Sequence, residues 1–196
     1  MDVRELDRRA SATLGDVIAK VRFDQLRLPT PCDDWTLHGL IRHQVSDNLG
    51  FVAAANGVTD HILAWDAGRL GDDPLAAYNA SVVAMARAFA DDAVLDRSLQ
   101  IREFGFFPGG MALSMHVLDC VVHGWDVAQS IGLPYSPDLD LVEHALGVAA
   151  FIPTGEDPHE RPRTAFAQII KITDDAAPLD RLLGLVGRHP SWQASM

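Results

Sequence analysis

The residues best suited to chemistry are a carboxylate and a histidine four positions apart, Asp119 and His123. On an α-helix this spacing places both side chains on one face, one turn apart, and helical bundles build metal sites from such pairs. His43 and Asp47 repeat the spacing earlier in the chain. If the two segments pack together, His43 would complete a set of two histidines and one carboxylate. Such a set leaves positions open for water and substrate, as in catalytic zinc and non-haem iron sites.

Three further residues are candidates for supporting this site. Asp47 would be a spare ligand, or a partner that orients the histidine one turn before it. Asp126 could orient the histidine three residues before it. His116 lies three residues before the candidate carboxylate and could lean toward the same face. We assign no separate catalytic residue, because the sequence contains no nucleophile elbow, CxxC pair or phosphate-binding loop.

The same residues also have simpler interpretations. A carboxylate and a histidine one turn apart often form an ion pair, and a lone histidine among apolar residues is usually a hydrogen-bonded interior residue. Asp119 and His123, however, stand in a segment that is apolar on most faces, and buried charges require partners or a metal. Three alternatives stay open: a metal-dependent enzyme, a non-catalytic metal- or ligand-binding bundle, and a buried ion-pair network without a metal.

Helices are the elements expected to position these residues. Apolar residues recur at spacings of three and four along most of the chain, which is typical of amphipathic helices. We predict helices over residues 2–21, 37–56, 74–90, 110–131, 137–152 and 178–186. Asp2, Thr36 and Asp73 are candidate N-caps, and Pro74 suits a first helical position.

The connecting segments complete the predicted architecture. We expect a short helix over 61–66, an extended connector over 98–107, a polar loop over 153–163 and a short strand over 166–172. Long helices with long connectors predict an all-α bundle. We interpret residues 1–196 as one domain, with the bundle over 1–152 and a C-terminal extension over 153–196.

Composition excludes several classes of protein. The chain has 16 Lys and Arg residues against 27 Asp and Glu, which gives a net charge of −11. This balance disfavours binding to nucleic acid or to an anionic membrane, since both attract basic residues. No apolar stretch approaches the roughly 18 residues of a membrane span, and no signal peptide is evident. Because two cysteines allow only one disulfide, we expect a protein of the reducing cytoplasm.

Two motifs resemble those of the mycothiol-dependent maleylpyruvate isomerase-like group, which belongs to the DinB-like metalloenzyme superfamily. The first is Leu28-Pro-Thr-Pro-Cys-Asp-Asp-Trp-Thr36, followed by Leu40-Ile-Arg-His43. The second is Asp119-Cys-Val-Val-His-Gly-Trp-Asp-Val-Ala128. The segment over 177–188 is similar to the close of an actinobacterial subgroup of uncharacterised metal-binding members.

The resemblance implies a DinB-like four-helix bundle, extended by additional short helices, with a divalent metal near one end. The metal would usually be zinc or nickel, held by His43 on the second helix and by Asp119 and His123 on the fourth. Relatives use low-molecular-weight thiols such as mycothiol for isomerisation, conjugation or detoxification, and they are often homodimers. The partners implied are therefore a small-molecule thiol and an electrophilic substrate.

The chain departs from the isomerase branch in two respects. That branch has Glu where this chain has the shorter Asp119, and it carries a C-terminal domain larger than the segment after the fifth predicted helix. These departures argue against maleylpyruvate isomerisation itself. We expect a metal-dependent thiol S-transferase or an isomerase-like enzyme, acting in S-transfer, isomerisation or detoxification. A metal would hold the thiol sulfur as thiolate, ready to attack an electrophile.

Overall fold

The computed structural model describes residues 1–32, 35–58, 63–153 and 166–194, and helices dominate this part of the chain. The helices are α1 (Val3–Ile18), α2 (Leu37–Ala55), α3 (Pro74–Ala88), α4 (Asp92–Asp96), α5 (Gly109–Ser130), α6 (Leu139–Ala149) and α7 (Pro178–Leu185). Two short antiparallel strands, β1 (Ser98–Ile101) and β2 (Gly105–Pro108), form a hairpin before α5. Short 3-10 turns cover Phe23–Gln25, Ala64–Asp66 and Arg102–Phe104.

The helix starts follow the predicted capping chemistry. The side chains of Asp2, Thr36 and Asp73 each accept a hydrogen bond from a backbone N–H in the first turn of α1, α2 and α3. Pro74 occupies the first position of α3, where its missing N–H leaves no bond unmade. The three predicted N-caps are confirmed.

Four long helices form the bundle that carries the site. Helix α1 packs on α5 and α3, and α2 packs on the same two helices, so that the four helices close into a ring. Helix α5 is central, since most of its residues are buried. Helix α6 covers α5 from outside, and α7 packs on α6. The predicted all-α bundle is confirmed, and its apolar pattern brings α2 and α5 together as the site requires.

Two connector predictions need correction. Residues 98–107 were expected to be one extended connector, but they turn back on themselves as the β1–β2 hairpin, with Leu99 opposite Phe107. Residues 166–172 form no strand. Ile170 and Ile172 instead lie against α7 at Gly184, and the Ile170 N–H donates to the Gly184 carbonyl. An apolar run alone does not distinguish a strand from an irregular segment packed on a helix.

Smaller differences concern lengths and unpredicted turns. Helix α6 begins at Leu139, two residues later than predicted, and α4 was not predicted. Part of the predicted helix over 61–66 and most of the predicted loop over 153–163 lie outside the described residues. No described helix combines the length and apolarity needed to cross a membrane.

Candidate metal centre

Helices α2 and α5 bring His43, Asp119 and His123 together at one point of the bundle. One potential ligand atom from each residue lies within 4.8 Å of the other two. The Oδ1 atom of Asp119 is 3.3 Å from Nε2 of His123 and 3.7 Å from Nε2 of His43. His123 is buried, and the other two side chains are partly buried. The two helices therefore direct two imidazole nitrogens and one carboxylate oxygen at a shared space.

These distances suit a bound metal better than direct hydrogen bonds. Ligand atoms about 2.05 Å from a tetrahedral zinc ion lie about 3.3 Å from one another. An N–H···O hydrogen bond is normally 2.7–3.2 Å long, whereas both nitrogens of the candidate site stand farther than that from Oδ1 of Asp119. Two nitrogens and one oxygen also form a typical donor set for zinc and neighbouring transition metals. The residues present thus fit a divalent metal.

His123 is oriented from behind by a buried carboxylate. Its Nδ1 lies 2.8 Å from Oδ2 of Asp126, one turn later on α5. Asp126 is fully buried, and Arg188, from the segment after α7, donates to both of its oxygens at 3.1 and 3.4 Å. A proton on Nδ1 leaves Nε2 with a free electron pair directed at the shared space.

Asp119 has its second oxygen occupied by α2. The Gln44 side-chain amide donates to Oδ2 of Asp119 at 2.6 Å, so that Oδ1 is the oxygen left to face both histidines. Gln44 is almost completely buried. The carboxylate is therefore held in a single orientation and presents one oxygen to the site.

His43 is held by less direct contacts. Its Nδ1 stands 3.6 Å from Oδ1 of Asp47, which also accepts a hydrogen bond from Arg102. The Trp35 ring lies 4.4 Å from the His43 ring and 6.1 Å from the His123 ring, measured between centroids. Trp35 thus covers one side of both imidazoles with an apolar surface.

The charges of Asp119 and His123 reinforce each other. Burial alone would raise the pKa of a carboxyl and lower that of an imidazole. The two histidines outweigh this effect and hold the pKa of Asp119 well below its ordinary value. Asp119 and Asp126 likewise hold the pKa of His123 well above its ordinary value. Because the pKa of His123 is raised, a metal would compete with a proton for its Nε2 electron pair.

A cavity of about 290 Å³ opens beside His43. Trp35 and Trp65 form apolar parts of its wall, while Arg42 and Arg102 supply guanidinium groups. Arg42 pairs with Asp66 at 2.6 Å, and the Arg102 guanidinium lies over the Trp65 ring, 4.9 Å from its centroid. Apolar faces with a few charged groups are characteristic of small-molecule sites.

His116 belongs to a different cluster. Its Nδ1 is 2.5 Å from Oδ1 of Asp7 on α1, and its Nε2 is 2.6 Å from Oδ1 of Asn48 on α2. The Asn48 amide group donates in turn to Ser81 on α3. His116 therefore links all four bundle helices and does not extend toward the three candidate ligands, although its position on α5 suggested that it could.

Three contributors to the site were not anticipated from the sequence. Gln44, Arg102 and Arg188 support the three candidate ligands or their partners, and none has a characteristic spacing to them. One signal existed for Gln44, which is a polar residue between Ile41 and Val45 on the buried face of α2. Arg188 is distant in sequence from its partner, so only the fold reveals the pair.

The fold and the site together define a class of protein. It is a helical bundle in which the central helix α5 and its neighbour α2 bring three potential metal ligands together. The profile of the mycothiol maleylpyruvate isomerase N-terminal domain matches residues 8–128, which is more than half of the chain. The chain belongs to this family. The resemblance seen in its two motifs is confirmed.

Relatives cover nearly the full chain but carry little functional description. Two uncharacterized proteins, from the CDC 1551 / Oshkosh and H37Rv strains of Mycobacterium tuberculosis, are each 27% identical over 194 residues. The alignment covers 96% of this chain and 98% of each relative.

Two solved structures share the fold. A crystal structure of a mycothiol-dependent maleylpyruvate isomerase superposes with a TM-score of 0.61 at 15% identity, over 76% of this chain and 66% of the isomerase. A histidine-to-alanine mutant of that enzyme gives a TM-score of 0.64 at 15% identity, over 82% and 72% of the two chains. The predicted DinB-like fold is confirmed. The chain spans about two thirds of the length of the solved isomerase.

Proposed function

We propose that this protein is a divalent-metal-dependent enzyme that joins a low-molecular-weight thiol of the mycothiol type to an electrophilic small molecule. Family membership supports the thiol. The convergence of His43, Asp119 and His123 beside a cavity supports the metal and a small substrate. The observation that carries the proposal is the arrangement of three potential ligand atoms within 4.8 Å of one another, with each residue near a further polar side chain.

A bound divalent metal would lower the pKa of a thiol and keep its sulfur nucleophilic at neutral pH. The chain's own residues would do the remaining work. Asp126 keeps His123 in the orientation that presents Nε2, and Gln44 leaves Oδ1 of Asp119 facing the site. Trp35 limits access of water to one side of the imidazoles, which strengthens electrostatic interactions there.

The reaction supported is addition or substitution at an electrophilic carbon. When the electrophile is an activated alkene, the sulfur forms a carbon–sulfur bond as the carbon–carbon π bond breaks, and the proton lost by the thiol ends on the adjacent carbon. In a substitution, the sulfur would displace a leaving group, which departs with the electron pair of the broken bond. Arg42 and Arg102 line the cavity and would orient polar groups of the reactants. Asp66 and Glu103 add two carboxylates to the cavity lining. A bound metal would activate the thiol without requiring either of them as a general base.

Under this proposal the shorter carboxylate of Asp119 would still reach a metal shared with both histidines. Oδ1 of Asp119 already lies 3.3 and 3.7 Å from the two histidine nitrogens. The close pairing of α2 with α5, through Gln44, brings the Asp119 side chain within reach of both ligands. Aspartate can therefore take the role that glutamate has in the isomerase branch.

The proposal is tested with untagged protein purified without added metal. Elemental analysis should find about one zinc or nickel per chain, and calorimetry should detect mycothiol binding that disappears after chelation. Metal-dependent conjugation should then appear with at least one member of an electrophile panel. Metal without thiol binding or conjugation would favour a non-catalytic metal-binding bundle. If the protein bound no metal after reconstitution with zinc and nickel, the remaining interpretation would be a buried ion-pair network without a metal.

A further inference from the structure

We propose that Arg188 is a positioning residue of the metal centre, which makes the segment after α7 a working part of the site. This inference rests on the proposed function in one respect: it requires that the three candidate ligands bind a metal. Arg188 is 5% exposed and reaches the centre through Asp126, not by contacting a ligand itself.

The contact between Arg188 and Asp126 determines the plane of the carboxylate. Nε and Nη2 of Arg188 donate to different oxygens, Oδ1 at 3.4 Å and Oδ2 at 3.1 Å. A guanidinium that donates in parallel to both oxygens fixes their orientation, which the single ammonium group of lysine cannot do. Oδ2 is also the oxygen that faces Nδ1 of His123 at 2.8 Å. Arg188 therefore sets the orientation of the carboxylate oxygen to which His123 is hydrogen-bonded.

Arg188 is itself held firmly. Its Nη1 donates to the Val186 carbonyl at 3.0 Å, and its backbone N–H donates to the Leu183 carbonyl at 2.8 Å. The second bond caps the end of α7, whose residues Leu182 and Leu183 are fully buried. The packed end of α7 thus fixes the place at which the guanidinium contacts Asp126.

Charge gives the pair a second role. Asp126 is completely buried, and an ionised carboxylate without a cationic partner is strongly destabilised there. Removing Arg188 would leave the Asp126 carboxylate free to rotate away from its present plane. This rotation would weaken the hydrogen bond that orients His123. Mutation of such outer partners typically lowers metal affinity 10–100-fold.

The test compares Arg188→Met with three other variants by zinc calorimetry and by the visible spectrum of the Co²⁺ form. Arg188→Met should weaken zinc binding about tenfold or more and alter the Co²⁺ bands, which report ligand geometry. Arg188→Lys should recover part of the affinity. Arg181→Met removes a cation from α7, and Leu179→Ala loosens the same helix. Arg181→Met should keep the wild-type affinity and spectrum, and Leu179→Ala should lose much less zinc affinity than Arg188→Met.

Four outcomes separate the possibilities. Wild-type affinity and spectrum in Arg188→Met would overturn the positioning role, even if the wild-type enzyme conjugates thiols. Equal losses of zinc affinity in Arg188→Met and Leu179→Ala would also overturn it, because disturbed packing of α7 would then explain both losses. A selective loss in Arg188→Met supports it, whether or not thiol conjugation is ever observed. Failure of the wild-type protein to bind zinc or cobalt would overturn both proposals.

Discussion

Asp119 divides its two carboxylate oxygens between two tasks. One accepts a hydrogen bond from Gln44, and the other faces both histidines. The spacing of Asp119 and His123 was sufficient to predict their pairing, because four residues make about one helical turn. The partners Gln44 and Arg188 were not predictable in the same way. Their roles depend on how α2 and the segment after α7 pack against α5, and no local periodicity encodes these contacts.

Removal of one ligand should abolish stoichiometric metal binding. We expect His123→Ala to lose most of the zinc found in the wild-type protein, because two remaining ligands bind far more weakly than three. Elemental analysis after dialysis measures the change. His38→Ala is the matched control, since this exposed histidine lies on α2 away from the candidate ligands. Full metal content in His123→Ala would show that the ion is held elsewhere.

His116 should make stability depend on pH. Burial and its neighbours Cys120 and Asp7 act on its pKa, with a net rise well above the ordinary value of 6.5. Asp7 is the effective partner, since burial also raises the pKa of Cys120 and keeps that thiol neutral. Asn48 and the Phe51 ring complete the surroundings of His116. Both imidazole nitrogens face acceptors, as expected for a protonated ring.

A histidine whose pKa is higher in the folded than in the unfolded state stabilises the protein. The stabilisation is complete at pH below the unfolded-state pKa and is lost as the pH rises through the folded-state pKa. The free energy of unfolding should therefore fall above pH 6.5, by at most about 1.4 kcal/mol per pH unit for this group. Urea denaturation of wild type and His116→Gln between pH 5.5 and 9 measures the contribution as a difference. Parallel curves for the two proteins would mean that His116 carries no extra proton.

At the scale of elements, the helices were predictable and the short connectors were not. Helices α1, α2, α3 and α5 follow from apolar spacing, and the first three also follow from caps that act over a single turn. The β1–β2 hairpin depends on a turn in which Arg102 adopts a positive φ of 43°, a conformation that non-glycine residues rarely adopt. Arg102 pairs with Asp47 and lies over Trp65, so tertiary contacts maintain this turn.

Helix α2 and the turn at Ala64–Asp66 meet at a glycine. A Cβ atom on Gly50 would lie 2.2 Å from the Trp65 ring. This ring is itself packed edge-to-face against Phe51. We expect Gly50→Ala to lower the free energy of unfolding by about 1–3 kcal/mol, because the ring must shift in a packed interior. Denaturant titration measures the loss.

Gly147 on α6 provides the opposite case. Nothing lies within 4 Å of a Cβ atom added there, and the residue is exposed. Gly147→Ala should therefore raise the free energy of unfolding by about 0.5–1 kcal/mol through helix propensity. If Gly50→Ala stabilised the protein as much as Gly147→Ala, the packing of Trp65 on α2 would be contradicted.

At the scale of the whole molecule, the candidate site joins distant parts of the chain. Its ligands come from α2 and α5, and its outer partners come from the hairpin turn and from the segment after α7. The sequence predicted the bundle and the two ligand-bearing helices, because both follow from local patterns. The contribution of the segment after α7 required the folded chain. The homodimer that the family resemblance implies stays a prediction, which sedimentation experiments can test.

Metal binding should therefore stabilise the entire fold. Zinc at 100 times its Kd should add about 2.7 kcal/mol to the free energy of unfolding if the unfolded chain does not bind it. Thermal denaturation with zinc and then with a chelator should reveal a reversible rise and fall of Tm. His123→Ala should lose the response while Gly147→Ala keeps it. An equal zinc response in His123→Ala would contradict the assigned site.

The pairing of Asp126 with Arg188 also bears on how the protein matures during synthesis. All three candidate ligands leave the ribosome well before Arg188 does, because the nearest of them lies more than sixty residues earlier in the chain. A nascent chain that has folded through α6 would hold the ligand set while Asp126 still lacks its cationic partner. Metal captured at that stage would be held loosely and could exchange. Tight binding would be reserved for chains in which α7 has docked.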